Sequence, residues 1–200
     1  MQTIFIVGAG TMGSGIAQVA AQSGFSVRLY DISTQQLERA RATISANLDR
    51  LVKKEKLTAA DKDATLARIA TATQLDGVAS ADLVIEAASE NEALKLELFA
   101  KLDALAKPEA ILASNTSSIS ITKIAAATKN PARVIGMHFF NPVPVSDLVE
   151  IVRAPATSES TTAAVRTWVQ GLGKSAVVVN DSPGFATSRL GVCLGLEAIR

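Results

Sequence analysis

The stretch Gly8-Ala9-Gly10-Thr11-Met12-Gly13-Ser14-Gly15 decides how the chain is read. It follows a short apolar run, Thr3–Val7 (TIFIV), that suits a strand covered on both faces. It opens a segment, Thr11 to Ser23, that favours a helix and stops at Gly24. Strand, glycine-rich turn and helix, in that order, are the setting in which G-x-G-x-x-G carries meaning. Gly8 permits a tight turn, Gly10 lets a ligand approach the backbone, and Gly13 lets helix and strand pack closely. The helix start, at Thr11 and Met12, supplies free N–H groups and a positive dipole end for an anion. Outside that setting the same residues are only a turn of small side chains. Within it they predict a cradle for the pyrophosphate of a dinucleotide.

The next strand, Ser26–Tyr30 (SVRLY), ends at Asp31. A carboxylate there binds both hydroxyls of an adenosine ribose and repels a 2′-phosphate. Ile32, Ser33 and Thr34 follow with no arginine among them, so NAD is expected in preference to NADP.

Further along, helices are predicted at Thr34–Lys53, Thr58–Arg68, Asn91–Leu105, Ser120–Ala127, Ser158–Leu172 and Gly184–Arg200. Strands are predicted at Ile69–Thr73, Asp82–Ile85, Ala110–Ala113, Arg133–Phe139, Leu148–Val152 and Ser175–Val179. The alternation implies a Rossmann-type, doubly wound α/β fold with a mostly parallel sheet. One pair of strands must differ. Only residues 140–147, with Pro142 and Pro144, separate Phe139 from Leu148, too few for a parallel crossover. These two strands are expected to run antiparallel, near the C-terminal side of the fold.

Composition narrows the function classes. The 200 residues include 20 basic and 19 acidic ones, a net charge of +1, which gives nucleic acid no electrostatic reason to bind. Cys193 is the only cysteine, so an intrachain disulfide is excluded and a reducing, cytoplasmic setting is expected. No signal peptide is recognisable, and no uncharged apolar run reaches the ~18 residues that span a bilayer. A single histidine rules out a multi-histidine metal site, and no metal is expected. The final helix carries Phe185, Leu190, Val192, Cys193, Leu194, Leu196 and Ile199 around most of its circumference. It needs cover on more than one side, from another subunit or from further chain.

The one histidine, His138, sits in GMHFFNP at the end of an apolar strand. If the antiparallel pair turns about Pro144, Glu150 lies directly opposite it, with Cβ atoms about 4.5–5.5 Å apart. Glu150 also interrupts the apolar run LVEIV, where an unpaired carboxylate is costly. Two readings stay open: a buried ion pair that serves structure, or an imidazole held by glutamate for general acid–base work.

Taken in order, GAGTMGSGIAQ, Asp31, VIEAASENEALKLELF, SNTSS, HFFNPVP and DSPGF resemble the 3-hydroxyacyl-CoA dehydrogenase family, especially its bacterial 3-hydroxybutyryl-CoA branch. The resemblance covers nearly the whole chain. It implies reversible, NAD-dependent oxidation of the 3-hydroxyl of a short-chain acyl-CoA, as in fatty acid β-oxidation. His138 would take the hydroxyl proton, Glu150 would orient His138, and Ser117 would hydrogen-bond the substrate oxygen. Asn115 and Asn141 would lie around the nicotinamide half, with Glu90 and Lys95 on the cofactor side. Without the resemblance, Ser117 reads as a helix cap, the asparagines as turn residues, and Glu90 and Lys95 as a solvated helix face.

The resemblance also divides the chain into an NAD-binding domain over residues 1–182 and, over 183–200, the first helix of a truncated helical domain. In the family that domain dimerises and closes the acyl-CoA cleft, so a homo-oligomer is expected. Lys53, Lys54 and Lys56 are candidates to attract CoA phosphates, or simply an exposed charge run. One departure stands out: Ser188 occupies the place of the family's asparagine in PGF-x-x-N-R. With the short helical end it keeps open one alternative, an NAD-binding or crystallin-like relative with little turnover; a dehydrogenase of a non-CoA hydroxy compound is a second alternative, on which DSPGF and the Lys53–Lys56 segment bear.

Overall fold

Strand β1 (Thr3–Val7) is buried on both faces, and its side chains divide between two cores. Ile4 and Ile6 point into one cluster, Phe5 and Val7 into the other. This is the two-residue period of a strand with helices on both sides, and it explains why TIFIV shows no polar alternation. The computed structural model describes residues 1–200.

After β1 come helix α1 (Thr11–Gln22), strand β2 (Ser26–Tyr30), helices α2 (Thr34–Lys53) and α3 (Ala59–Ala67), and strand β3 (Ile69–Ala72). Strand β4 (Leu83–Glu86), helix α4 (Glu92–Leu105), strand β5 (Ile111–Ser114) and helix α5 (Ile121–Ala126) follow. The chain then forms strands β6 (Val134–Phe139) and β7 (Leu148–Arg153), helix α6 (Glu159–Gly171), strand β8 (Ser175–Asn180) and helix α7 (Thr187–Ile199). The eight strands make one sheet in the order β3-β2-β1-β4-β5-β6-β7-β8. All neighbours are parallel except β6 and β7, the pair that the short 140–147 connection required. The fold is the expected Rossmann-type doubly wound sheet. Strand order reverses between β1 and β4, and the crevice beyond the carboxyl ends of those strands is where such sheets bind ligands.

Most differences between the predicted and observed elements have local causes. Thr58, Asn91, Ser120 and Ser158, predicted as first helical residues, are caps whose side chains accept backbone N–H groups of α3, α4, α5 and α6. Two short 3₁₀ turns, Asp76–Ser80 and Pro131–Arg133, add to the expected elements and have no long apolar period to announce them. Strands β4 and β5 run one residue further than expected, to Glu86 and Ser114. Both are polar side chains and both are fully buried.

The last helix starts at Thr187 and not at Gly184. Gly184 (φ 72°) and Phe185 (φ 51°) lie in the left-handed region. This turn drives the Phe185 ring inward to 3% exposure. Beyond it, α7 buries no residue, and Leu190, Val192, Leu194, Leu196 and Ile199 are exposed. No helix is long and apolar enough to cross a membrane.

Candidate active site

The glycine turn is built as tightly as its sequence demanded. Gly8 has φ 101°, and a Cβ there would stand 2.6 Å from the Ala87 carbonyl oxygen just beyond β4. A Cβ on Gly13 would lie 1.8 Å from the Gly8 carbonyl oxygen, so α1 can rest on the turn only through a glycine. At Gly10 the space is open, with nothing within 4 Å. Gly10 is also the N-cap of α1 and offers no side-chain cap, so the first N–H groups, at Thr11 and Met12, keep their donors. An anion fits there.

A cavity of about 480 Å³ adjoins this turn, lined in part by Gly8, Gly10, Tyr30, Asp31, Leu75 and Ala87. Asp31 stands at its edge and does something the sequence did not disclose. Its Oδ2 accepts the Ala9 N–H at 2.9 Å and its Oδ1 accepts the Ser33 N–H at 2.9 Å. The same carboxylate therefore fixes the glycine turn and faces the cavity.

Beyond β4 lies a charge network of which sequence reasoning found half. Lys95 on α4 is 1% exposed. Its Nζ donates to Glu86 Oε1 at 2.5 Å and stands 3.4 Å from Glu90 Oε2. Glu86 also accepts the Ser114 hydroxyl at 2.6 Å and the Ala88 N–H at 2.7 Å. A carboxylate with 0% exposure persists because these donors satisfy it. Glu86 and Ser114 come together because β4 and β5 pair in register at those residues.

Glu90 accepts the Thr116 hydroxyl and the Ser117 N–H. Burial pushes its carboxyl up, but those donors and Lys95 outweigh burial and hold it below the usual range. Ser117 is exposed, with its hydroxyl 3.3 Å from Glu90. It does not cap α5, since Ser120 takes that place.

The cross-strand register expected for His138 and Glu150 is present. His138 of β6 pairs with Glu150 of β7 across the antiparallel ladder, and Nδ1 lies 2.7 Å from Glu150 Oε2. Nε2 is left as the free ring nitrogen. His138 lines a cavity of about 370 Å³ with Met12, Glu90, Asn115, Ser117 and Asn141 among its other walls. Asn115 is oriented by accepting the Phe139 N–H at 3.0 Å.

Glu150 is 1% exposed and has three partners besides His138. It accepts the Ala186 and Thr187 N–H groups at 3.1 and 2.9 Å and the Thr187 hydroxyl at 2.6 Å. Burial raises its carboxyl, and these donors, led by the Thr187 hydroxyl, bring it below the usual range. Glu150 therefore stays ionised beside the imidazole. Thr187 had no signal in the sequence, because its partner lies 37 residues away.

The structure gathers His138, Ser117, Asn115, Asn141, Met12 and Glu90 around one cavity. Gly8, Gly10 and Asp31 border the neighbouring one. Lys53, Lys54 and Lys56 are exposed at the end of α2 and line neither. A third groove, between α1, α2 and the 141–144 segment, takes its cationic side chain from Arg39.

Comparison with known proteins identifies the family. The 3-hydroxyacyl-CoA dehydrogenase NAD binding domain matches residues 3–182. A 3-hydroxybutyryl-CoA dehydrogenase from Bradyrhizobium diazoefficiens is 48% identical over 199 residues, which span 100% of this chain and 68% of the relative. The structure of (S)-3-hydroxybutyryl-CoA dehydrogenase PaaH1 from Ralstonia eutropha aligns with a TM-score of 0.93 at 48% identity, covering 100% of this chain and 73% of that one. FadB2 from M. tuberculosis aligns with a TM-score of 0.96 at 44% identity, covering 100% and 71%. The chain belongs to the 3-hydroxyacyl-CoA dehydrogenase family, a family of oxidoreductases, and its cofactor is NAD.

Proposed function

We propose that the protein interconverts a short-chain 3-hydroxyacyl-CoA and its 3-ketoacyl-CoA, with His138 as the acid–base group. The observation that carries this is the 2.7 Å His138–Glu150 contact in the wall of the cavity that Ser117 and Asn115 share. Bound NAD supplies the hydride acceptor. In the oxidising direction His138 Nε2 takes the proton of the 3-hydroxyl while Nδ1–H donates to Glu150. The ionised Glu150 fixes that tautomer and stabilises the imidazolium that forms. In the reducing direction His138 returns the proton to the ketone oxygen. Ser117 hydrogen-bonds the same substrate oxygen.

Gly8, Gly10, Gly13 and the N–H groups at Thr11 and Met12 would hold the pyrophosphate, and Asp31 the adenosine ribose. Glu90, braced by the buried Lys95, would hold the second ribose, and Asn115 and Asn141 the nicotinamide side. Residues 183–200 are assigned to a separate helical unit that covers the acyl-CoA and mediates subunit contact. That assignment is supported by the family match ending at residue 182 and by the exposed apolar residues of α7.

The test is NADH consumption with acetoacetyl-CoA, with acetoacetate and NADPH as comparisons. The expected result is turnover with the CoA ester and NADH, and a loss of about 10²–10⁴-fold in His138→Ala. Undiminished turnover in His138→Ala would overturn the assignment. A second reading, an NAD-binding module with little turnover, rests on Ser188 in place of the family's asparagine. It is favoured if NADH binds while neither the parent nor Ser188→Asn turns over.

A further inference from the structure

Glu150 Oε2 serves two donors at once: His138 Nδ1 at 2.7 Å and the Thr187 hydroxyl at 2.6 Å. The other two donors are backbone amides, of Ala186 and Thr187, which Oε1 accepts and which almost any residue at those positions would supply. The Thr187 hydroxyl is different, because it depends on which side chain stands there. Each further donor on a carboxylate stabilises its ionised form and makes it a weaker base toward the next donor. The hydroxyl therefore competes with the imidazole for the same oxygen. We propose that Thr187 is a positioning residue that weakens the His138–Glu150 hydrogen bond and so sets the pH range in which the pair takes up and releases its proton.

The surroundings leave few other groups to do this. Val177 of β8 pairs with Glu150 across the sheet. Phe140 and Phe185 flank the imidazole at centroid distances of 4.5 and 6.0 Å. Glu90 is the one other charged side chain lining the His138 cavity. It is already occupied by Thr116, Ser117 and Lys95. Arg153, on the same strand as Glu150, pairs with Glu159. Thr187 also opens α7, so a shift of that helix would alter the donor on Glu150 and reach His138 through it.

The inference rests on the acid–base reading of His138. Its test is the pH profile of kcat/KM for acetoacetyl-CoA reduction and for 3-hydroxybutyryl-CoA oxidation, in the parent, Thr187→Val and Thr187→Ser. Valine keeps the branched shape and the backbone amide but removes the hydroxyl. Glu150 then binds the imidazolium more tightly, and the pair holds its proton to higher pH. The basic limb of reduction and the acid limb of oxidation should both move up by about half a pH unit, a threefold change in proton affinity. Thr187→Ser should return both limbs to the parental position. A purely structural role would lower Tm and leave the limbs in place. Superimposable profiles for the parent and Thr187→Val overturn the inference while leaving His138 as acid–base group intact. Thr187→Ala supplies the same comparison if the valine variant does not fold. NADH binding with no turnover in either the parent or Ser188→Asn removes the reading of His138 and the inference together.

Discussion

At residue 138 the proposed chemistry depends on one histidine and one oxygen of Glu150. Removal of Glu150 alone should separate orientation from proton transfer. Glu150→Gln leaves the ring nitrogen of His138 in place but offers an amide that cannot stabilise an imidazolium. It should slow turnover by one to several orders of magnitude while NADH binding, followed by fluorescence titration, stays near the parental value. Asp31 has two tasks, facing the cavity and fixing the Ala9 and Ser33 amides. Asp31→Ala should therefore weaken NADH binding and also lower Tm. An effect on ribose recognition alone would leave Tm unchanged. The preference for NADH over NADPH should shrink in the same variant, because the repulsion toward a 2′-phosphate is gone.

At the scale of elements, α1, β1 and β4 meet through glycine. Gly13→Ala places a methyl group 1.8 Å from a carbonyl oxygen, so α1 must lift from the turn. The expected cost is about 1–3 kcal/mol in thermal or denaturant unfolding, with weakened NADH binding because the helix start moves off the cradle. The Gly8–Gly13 contact was legible because strand, turn and helix are consecutive in sequence, whereas the approach of Gly8 to Ala87 was not. The His138–Glu150 register was legible for a similar reason: a short connection with Pro144 midway left little choice of alignment. Glu86 and Ser114 were not, since each looks like a polar end to its strand until the other stands beside it and Lys95 reaches in from α4. Asp31's grip on the turn and Thr187's grip on Glu150 were hidden the same way. Their side chains are ordinary for a strand end and a helix start, and only the folded chain brings their partners near.

Over the whole molecule, several carboxylates join segments that are distant in sequence, and each is held below its usual range. Backbone N–H groups of Gln2 and Thr3, with Lys107, depress Asp82. Arg133 and the Lys129 N–H outweigh burial at Asp103, as Thr122 and Ser120 do at Asp181. Such groups bind protons more tightly in the unfolded chain than in the folded one. Their contribution is full above the ordinary carboxylate value, near pH 4, and is lost as pH falls through the lower folded values. Unfolding free energy should thus be flat near neutrality and drop below about pH 4. Asp82→Asn should cost about 1–2 kcal/mol at pH 7, with the gap to the parent closing in acid, as denaturant titrations across pH would show.

The central proposal is that His138 moves a proton while the cradle holds NAD. The most direct measurement is single-turnover oxidation of prebound NADH by acetoacetyl-CoA, in the parent and in His138→Gln, with the NADH dissociation constant measured for each. The expected result is equal NADH affinity and a hydride-transfer step slower by about 10²–10⁴-fold in the variant. Equal single-turnover rates in the two proteins would contradict it.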